Sequence, residues 1–317
     1  MNFSIFAPAK VNLHLAVKDK RPDGFHNLES VFLAVNFGDT LFFSSVPAEE
    51  DTLLMEWENT AAAVRSVPKA DCTVPNNIIL RALSLFREET GFLQTLSINV
   101  VKRIPIGGGL GGGSSDAAAT LLALNKMAGS PLGTELLFEM GTALGSDVPF
   151  FLRQIPAAWV TGRGECIKPI ETPHMYLVLV NPGFSSDTGA AFRLLDKYRN
   201  SVFSSSADFS PTRLCKGYSF SLPSFRNDFL PVFEDRVKTI YNKIISQLLE
   251  SGALYANLSG TGSTCFGVFE NEEQAQRAAE VMQNDWDFVK VTVTFTKNTQ
   301  ITKSDCHLLC DHIFLSL

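Results

Sequence analysis

The stretch "PIGGGLGGGSSD", Pro105 to Asp116, holds six glycines in twelve residues. Glycine loses more conformational freedom on folding than any other residue, so such a run between ordinary segments needs a use. Backbone N–H groups unshielded by Cβ atoms, at the positive end of a helix, suit phosphate oxygens. The run spells G-x-G-x-x-G through Gly107, Gly109 and Gly112. A dinucleotide fold also needs a second parallel strand about 20 residues on, opening with an acidic residue. Here the helix pattern after the loop runs into another helix pattern instead. A Walker loop needs Gly-Lys-Ser/Thr, and Gly-Lys occurs nowhere in the chain. What remains is a strand, a glycine loop and a helix start, with Ser114 and Ser115 as extra hydroxyl donors or a magnesium ligand. Lys102 and Arg103 stand just upstream. A phosphate cradle is preferred to a flexible linker because the loop leads straight into a well-capped helix.

One further cluster has metal-binding residue types: "CHLLCDH", with Cys306, His307, Cys310 and His312. Structural zinc sites combine two separated ligand pairs, and no second pair is present. The expectation is a terminal segment that buries Cys and Leu.

The elements that must position the loop follow from periodicity and punctuation. "FAPAKVNLHLAV" alternates as a strand, with Val11, Leu13 and Leu15 on one face. "RPDGFHNLES" is a turn, and "SVFLAVNF" and "DTLFFSSV" read as two strands. Residues 46–75 read as polar and irregular. "NNIILRALSLFREETG" is a helix capped by Asn76 or Asn77 and ended by Gly91. "TLSINVVKRIP" is the strand before the loop. "SSDAAATLLALNKMAG" is a helix capped by Ser114, Ser115 or Asp116, with a stripe of Ala117, Leu121 and Leu124. "LGTELLFEMGTALG" is a second helix, "SDVPFFL" a loop, and "AAWVTGRGECIKPI" a hairpin turning on Gly162 and Gly164. Further on come a buried strand "MYLVLVNPG" and a serine-rich loop over 201–213. A helix lies within "FLPVFEDRVKTIYNKIISQLLESG". "ANLSGTGSTCFGVF" is strand, glycine turn and strand, "NEEQAQRAAEVMQ" a helix and "DFVKVTVTFTK" a strand. Helices and strands segregate loosely, which predicts an α+β class in two lobes, residues 1–160 and 161–317.

The 317 residues are 45% hydrophobic and 19% charged, ample for two cores. The net charge of -6 argues against a nucleic-acid partner, but a small anion needs only local donors. No signal peptide and no apolar run of about 18 residues is read, so a cytoplasmic protein with reduced cysteines and no membrane partner is expected.

"P-x3-G-L-G-G-G-S-S" resembles the ATP-binding loop of the GHMP small-molecule kinases. "PAKVNLHLAVKDKRPDGFHNLESVF" (Pro8 to Phe32), "LGSDVPFF" (Leu144 to Phe151) and "LSGTGSTCFGVF" (from Leu258) resemble further blocks of that family, in family order. "PAK-N-HL" with "DGFH" is similar to the branch whose acceptor is a cytidine diphosphate-linked methylerythritol. The resemblance implies a ribosomal protein S5 domain 2-like first lobe and a ferredoxin-like second lobe. It implies transfer of the γ-phosphoryl of ATP, with Mg2+, to the acceptor's 2-hydroxyl in a bacterial cytosol, by a monomer or homodimer.

Asp147 is then the group that takes the hydroxyl proton and Lys10 its partner. Asn12, Phe25, His26, Phe32, Thr188, Phe192, Gly260 and Gly262 fall to the substrate, with Ser263 beside them. Asn77, Lys102, Pro105, Gly107, Gly108, Gly109, Leu110, Gly111, Gly112, Gly113, Ser114 and Ser115 fall to ATP, Ser115 being the best candidate for magnesium. Two residues depart from the pattern: Phe25, where relatives often carry Tyr, and Asp116, where some carry Asn. Another acceptor within the family, or a nucleotide-binding regulator without catalysis, are the rival readings.

Overall fold

β1 (Asn2–Lys20) and β2 (His26–Ser45) form a long antiparallel pair on which the rest is assembled. β2 merges the two strands read separately, and a register irregularity opposite Pro8 and Ala9 marks the join. At this irregularity β1 changes cores. Phe3, Ile5 and Ala7 lie under the helices, whereas Ala9, Val11 and Leu13 lie against the second sheet. The structure, a computed structural model, describes residues 2–58, 77–201, 225–296 and 302–303. The Cys306–His312 cluster and nearly all of the serine-rich stretch fall outside them.

The second half of β2 pairs with β4 (Leu96–Lys102), and its first half with β5 (Ala157–Gly162). β3 (Thr52–Trp57) runs parallel to β4, which corrects the irregular reading of that segment. β5 turns into β6 (Cys166–Pro169), so this sheet extends past the division expected at 160/161. β11 (Thr302–Lys303) returns to β1. Four helices cover this sheet: α1 (Ile78–Thr90), α2 (Gly112–Met127), α3 (Thr134–Leu144) and α4 (Val148–Leu152). α1 has the expected Asn77 cap, whose Oδ1 accepts from Ile79 N–H at 2.9 Å, and the expected left-handed Gly91 stop. α4 replaces the loop expected at "SDVPFFL": Pro149 fits its first turn and five consecutive residues are buried.

The second sheet is antiparallel, in the order β10–β7–β9–β8, with β7 (Tyr176–Asn181), β8 (Tyr255–Leu258), β9 (Cys265–Phe269) and β10 (Phe288–Val293). α6 (Asp235–Glu250) and α7 (Glu272–Met282) pack on one face, giving the ferredoxin-like arrangement. Its other face presents Leu177, Leu179, Phe266 and Val268 to Val11, Leu13, Val31 and Leu33 of the first sheet. The two lobes therefore share an apolar core and are held face to face. α5 (Thr188–Ser201), not read from the sequence, lies beside the far end of β1, with Ala191 and Leu195 packed among Leu15, Val17 and Phe229. No helix among the described residues is long and apolar enough to cross a membrane.

Candidate active site

The loop after β4 and the start of α2 form one wall of a cleft of about 780 Å³. Gly107, Gly109 and Gly111 all have positive φ (65°, 75° and 71°). A Cβ on Gly109 would stand 2.1 Å from Ser259 O, and one on Gly107 would stand 2.6 Å from Ser185 Cβ. These glycines therefore let the loop press against the second lobe. Four successive carbonyls are tied down, three of them to that lobe: Gly107 O accepts from Ser186 N–H, Gly108 O from Thr264 N–H and Gly109 O from the Ser259 hydroxyl, while Leu110 O accepts from Lys10 N–H of β1 (2.9–3.0 Å). In a trans peptide the following N–H points the opposite way, so the N–H groups of Gly109, Leu110 and Gly111 turn from these partners. Gly112, Gly113 and Ser114 open α2 and line the cleft, and the first-turn N–H groups of a helix have no partner within it. A Cβ on Gly113 would touch only Ile78, at 3.8 Å, so space remains above it for an oxyanion.

Two details depart from expectation. α2 is preceded by left-handed Gly111 with no side-chain cap, not by a Ser or Asp cap. Ser115 is buried beside Ala7, Ala118 and Phe150, and its hydroxyl has no partner. One residue past Ser114 is about 100° around the helix, which turns Ser115 from the cleft and removes it as a magnesium ligand.

The Lys10–Asp147 pair lies beside the loop. Asp147 stands at the N-cap position of α4, but its carboxylate caps nothing. It faces Lys10, with Nζ 3.5 Å from Oδ2. Lys10 donates to Asn12 Oδ1 at 2.5 Å and sits 4.6 Å over the Phe32 ring. Burial lowers the Lys10 pKa, against the opposing pull of the Asp147 charge. Asn12 is fixed in turn: its Nδ2 donates to Ser30 Oγ at 2.9 Å and its N–H to Ser259 Oγ at 3.2 Å.

At the far end of the cleft His26 Nε2 lies 2.7 Å from Asp196 Oδ1, and its ring stacks on Phe192 at 5.2 Å. Asp196 also accepts from Lys20 at 2.7 Å. Burial would raise its pKa, but the Lys20 and His26 hydrogen bonds outweigh it and hold the carboxylate ionised. Phe25 is half exposed, with the Arg163 guanidinium 4.9 Å from its ring centre. Thr188 Oγ1 meets Thr261 Oγ1 at 3.3 Å where the second lobe's glycine turn, with Gly260, closes the cleft.

Lys102 is placed differently from the sequence expectation. Its ammonium is buried and donates to Asp39 and, at 2.6 Å, to Asp116. Burial lowers its pKa, but the two carboxylates outweigh that and raise it. Asp39 also accepts from the Arg103 and Ile104 N–H groups. Asp116 Oδ1 has no partner; burial, with the Asp39 charge against the pull of Lys102, pushes this carboxyl up to about 7. Arg103 turns to Glu58 and Thr40.

Of the residues singled out, Lys10, Asn12, Phe25, His26, Phe32, Asn77, Lys102, Pro105, Gly107–Ser114, Asp147, Thr188, Phe192 and Gly260 line this one cleft. Gly262 and Ser115 are not among its lining residues. A Cβ on Gly262 would meet the Tyr241 hydroxyl at 2.6 Å, a packing reason for that glycine. Asp39, Asp196, Arg163 and Thr261 were not found from sequence. Of these, Arg163 and Thr261 each lie inside a glycine turn visible in the sequence.

The GHMP kinases N terminal domain family matches residues 77–154, and the GHMP kinases C terminal family matches residues 228–287. The "4-diphosphocytidyl-2-C-methyl-D-erythritol kinase" of Chlorobium phaeobacteroides (strain BS1) is 36% identical over 299 residues, 93% of this chain and 99% of that protein. The protein of the same name from Paramagnetospirillum magneticum (strain ATCC 700264 / AMB-1) is 37% identical, over 88% of this chain and 93% of its own. A crystal structure of a 4-(cytidine 5'-diphospho)-2C-methyl-D-erythritol kinase superposes with a TM-score of 0.73 at 30% identity, covering 92% of this chain and all of that one. The homoserine kinase from Cytophaga hutchinsonii, at 18% identity and a TM-score of 0.62 over 94% of this chain and 95% of its own, shares the fold. The chain belongs to the GHMP kinases, as its two lobes and glycine-loop cleft require. Within them it belongs to the 4-diphosphocytidyl-2-C-methyl-D-erythritol kinase family.

Proposed function

We propose that the chain transfers the γ-phosphoryl group of ATP to the 2-hydroxyl of 4-diphosphocytidyl-2-C-methyl-D-erythritol, giving the 2-phosphate and ADP in non-mevalonate isoprenoid synthesis. The observation that carries this reading is the position of the Lys10–Asp147 pair. It lies in one cleft with the α2 amide cradle and the Phe25–His26–Phe192 group. The amides receive the triphosphate. Aromatic rings suit a base face, and an imidazole suits its hydrogen-bonding edge.

Asp147 accepts the hydroxyl proton as the loose transition state forms, since an aliphatic alcohol is too weak an acid to ionise beforehand. Its carboxylate makes no cap bond, which leaves its oxygens available. Lys10 is aimed at that carboxylate and stabilises charge on the attacking oxygen. Asn12 and Phe32 hold the ammonium in place. Magnesium normally accompanies ATP, but among the described residues no three His, Cys, Asp or Glu side chains converge, and Ser115 faces away. Magnesium bound to ATP is held mainly by phosphate oxygens and water and needs no all-protein cage, and no step is assigned to it.

A phosphoryl-transfer assay across the cytidylyl alcohol, mevalonate, homoserine and galactose tests the reading. Turnover is expected on the first alone. Phosphorylation of mevalonate without the cytidylyl alcohol would sink it.

A further inference from the structure

The acceptor in the proposed reaction carries a diphosphate between its nucleoside and its alcohol, and the assignment that follows rests on that reading. Three side-chain cations line the cleft: Lys10, Lys102 and Arg163. Lys10 faces Asp147, and Lys102 is shared by Asp39 and Asp116. His26, the remaining basic side chain in the cleft, is on Asp196. The Arg163 guanidinium has no carboxylate within 4 Å among the described residues. Asp23 feels its charge from further away but is itself bonded to Arg21 at 3.1 Å and to the Phe25 N–H. Among the described residues, Arg163 is thus the cleft-wall cation left without a carboxylate partner within 4 Å.

The local backbone holds it there. Arg163 is the first residue of the tight turn between β5 and β6, flanked by Gly162 at φ 71° and Gly164 at φ 132°. A Cβ on Gly164 would stand 2.9 Å from Ser146 O, so the turn presses on the residue that precedes Asp147. The Arg163 N–H donates to Glu165 Oε2 at 2.6 Å, which fixes the turn from inside. The side chain then lies over the Phe25 ring. Arg163 bridges the Asp147 segment and the Phe25–His26 segment.

We propose that Arg163 binds the diphosphate of the acceptor and so positions the attacked hydroxyl at Asp147. Two orders match. In the molecule, the diphosphate joins the cytidine to the methylerythritol. In the cleft, Arg163 joins the aromatic end to the reacting carboxylate. A guanidinium stacked on an aromatic face keeps its in-plane N–H groups free for phosphate oxygens. The other anion-binding feature of the cleft, the start of α2, is taken by the triphosphate of the second substrate.

The experiment compares the affinities of cytidine and of CDP, alongside steady-state kinetics on the cytidylyl alcohol. Wild type is expected to bind CDP more tightly than cytidine. In Arg163→Gln, loss of charge-assisted hydrogen bonds should lower CDP affinity roughly tenfold to a hundredfold. Cytidine affinity, the KM for ATP and the thermal midpoint should hold, and the KM for the cytidylyl alcohol should rise with the CDP dissociation constant. Arg163→Lys, which keeps the charge, should recover most of the loss. Unchanged CDP affinity overturns the assignment. So does equal loss for cytidine and CDP, because Arg163 would then only support Phe25. A wild type that turns over a different alcohol and not the cytidylyl one overturns the reading of function, and this assignment with it.

Discussion

Lys10 and Lys102 sit on β1 and β4, two of the strands that pair with β2, and line the same cleft. They are almost equally buried, at 4% and 3% exposure. Their partners differ. Lys10 faces one carboxylate, at 3.5 Å, which is itself 29% exposed. Lys102 is held between two carboxylates that are buried with it. Burial wins over pairing at Lys10 and lowers its pKa; pairing wins at Lys102 and raises it. Burial by itself therefore does not mark a lysine for chemistry. A loosely matched partner leaves charge to offer a reacting atom, while a saturated one fixes the fold.

The largest test removes the carboxylate from the looser pair. Asp147→Asn should lower kcat by about 10² to 10⁴, the usual worth of a positioned base, with the KM for ATP little changed. Near-full turnover at saturating substrates would strip Asp147 of its role. The next test sets the two lysines side by side. Lys102→Met leaves two buried carboxylates without their counter-charge and should cost roughly 3–5 kcal/mol of stability, read as a lower thermal midpoint. Lys10→Met should lower turnover about 10²-fold but keep or raise the midpoint, since it removes a buried charge that is weakly compensated. If both variants lost stability equally, the contrast between them would fail.

The smallest effect belongs to Asp116. Its carboxyl sits near 7 when folded and near the ordinary 3.8 when unfolded. Between these values the folded chain holds a proton that the unfolded chain has lost, so this group's contribution falls as pH rises from about 4 to about 7. Lys102, with a raised pKa, stays protonated in both states across that window and adds no slope. Asp116→Asn should therefore flatten the pH dependence of the thermal midpoint between pH 5 and 7. A slope identical to wild type would assign it to other groups.

Elements whose signals are local were legible. α2 followed from its Ala117, Leu121 and Leu124 stripe, and α1 from Asn77 and Gly91. The glycine loop announced a special backbone, but not its cause. Half of the reason for Gly107 and Gly109 lies on Ser185 and Ser259, far along the chain. Asp39 and Asp196 were invisible because their partners are 63 and 170 residues away, and only the assembled sheets bring them together. α5 was hidden because Ala191 and Leu195 are its few buried residues in a polar run. The start of α2 was misread for a different reason. Packing of Gly111 against Phe151 and Lys10, and of Gly112 against Ile104, overrides the preference of Ser and Asp for the cap.

The four tethered carbonyls of the glycine loop set a length as well as a shape. Three of them fasten the phosphate cradle to the second lobe and the fourth, Leu110 O, to Lys10 of β1, while the shared core fastens that lobe to the sheet carrying Lys10. The span from cradle to aromatic end is thereby fixed like the jaws of a caliper. On the proposed function, an acceptor is gauged by whether its alcohol falls at Asp147 when its base is seated. Shortening or lengthening the acceptor's spacer would move the hydroxyl off the gauge mark while leaving every recognised group intact.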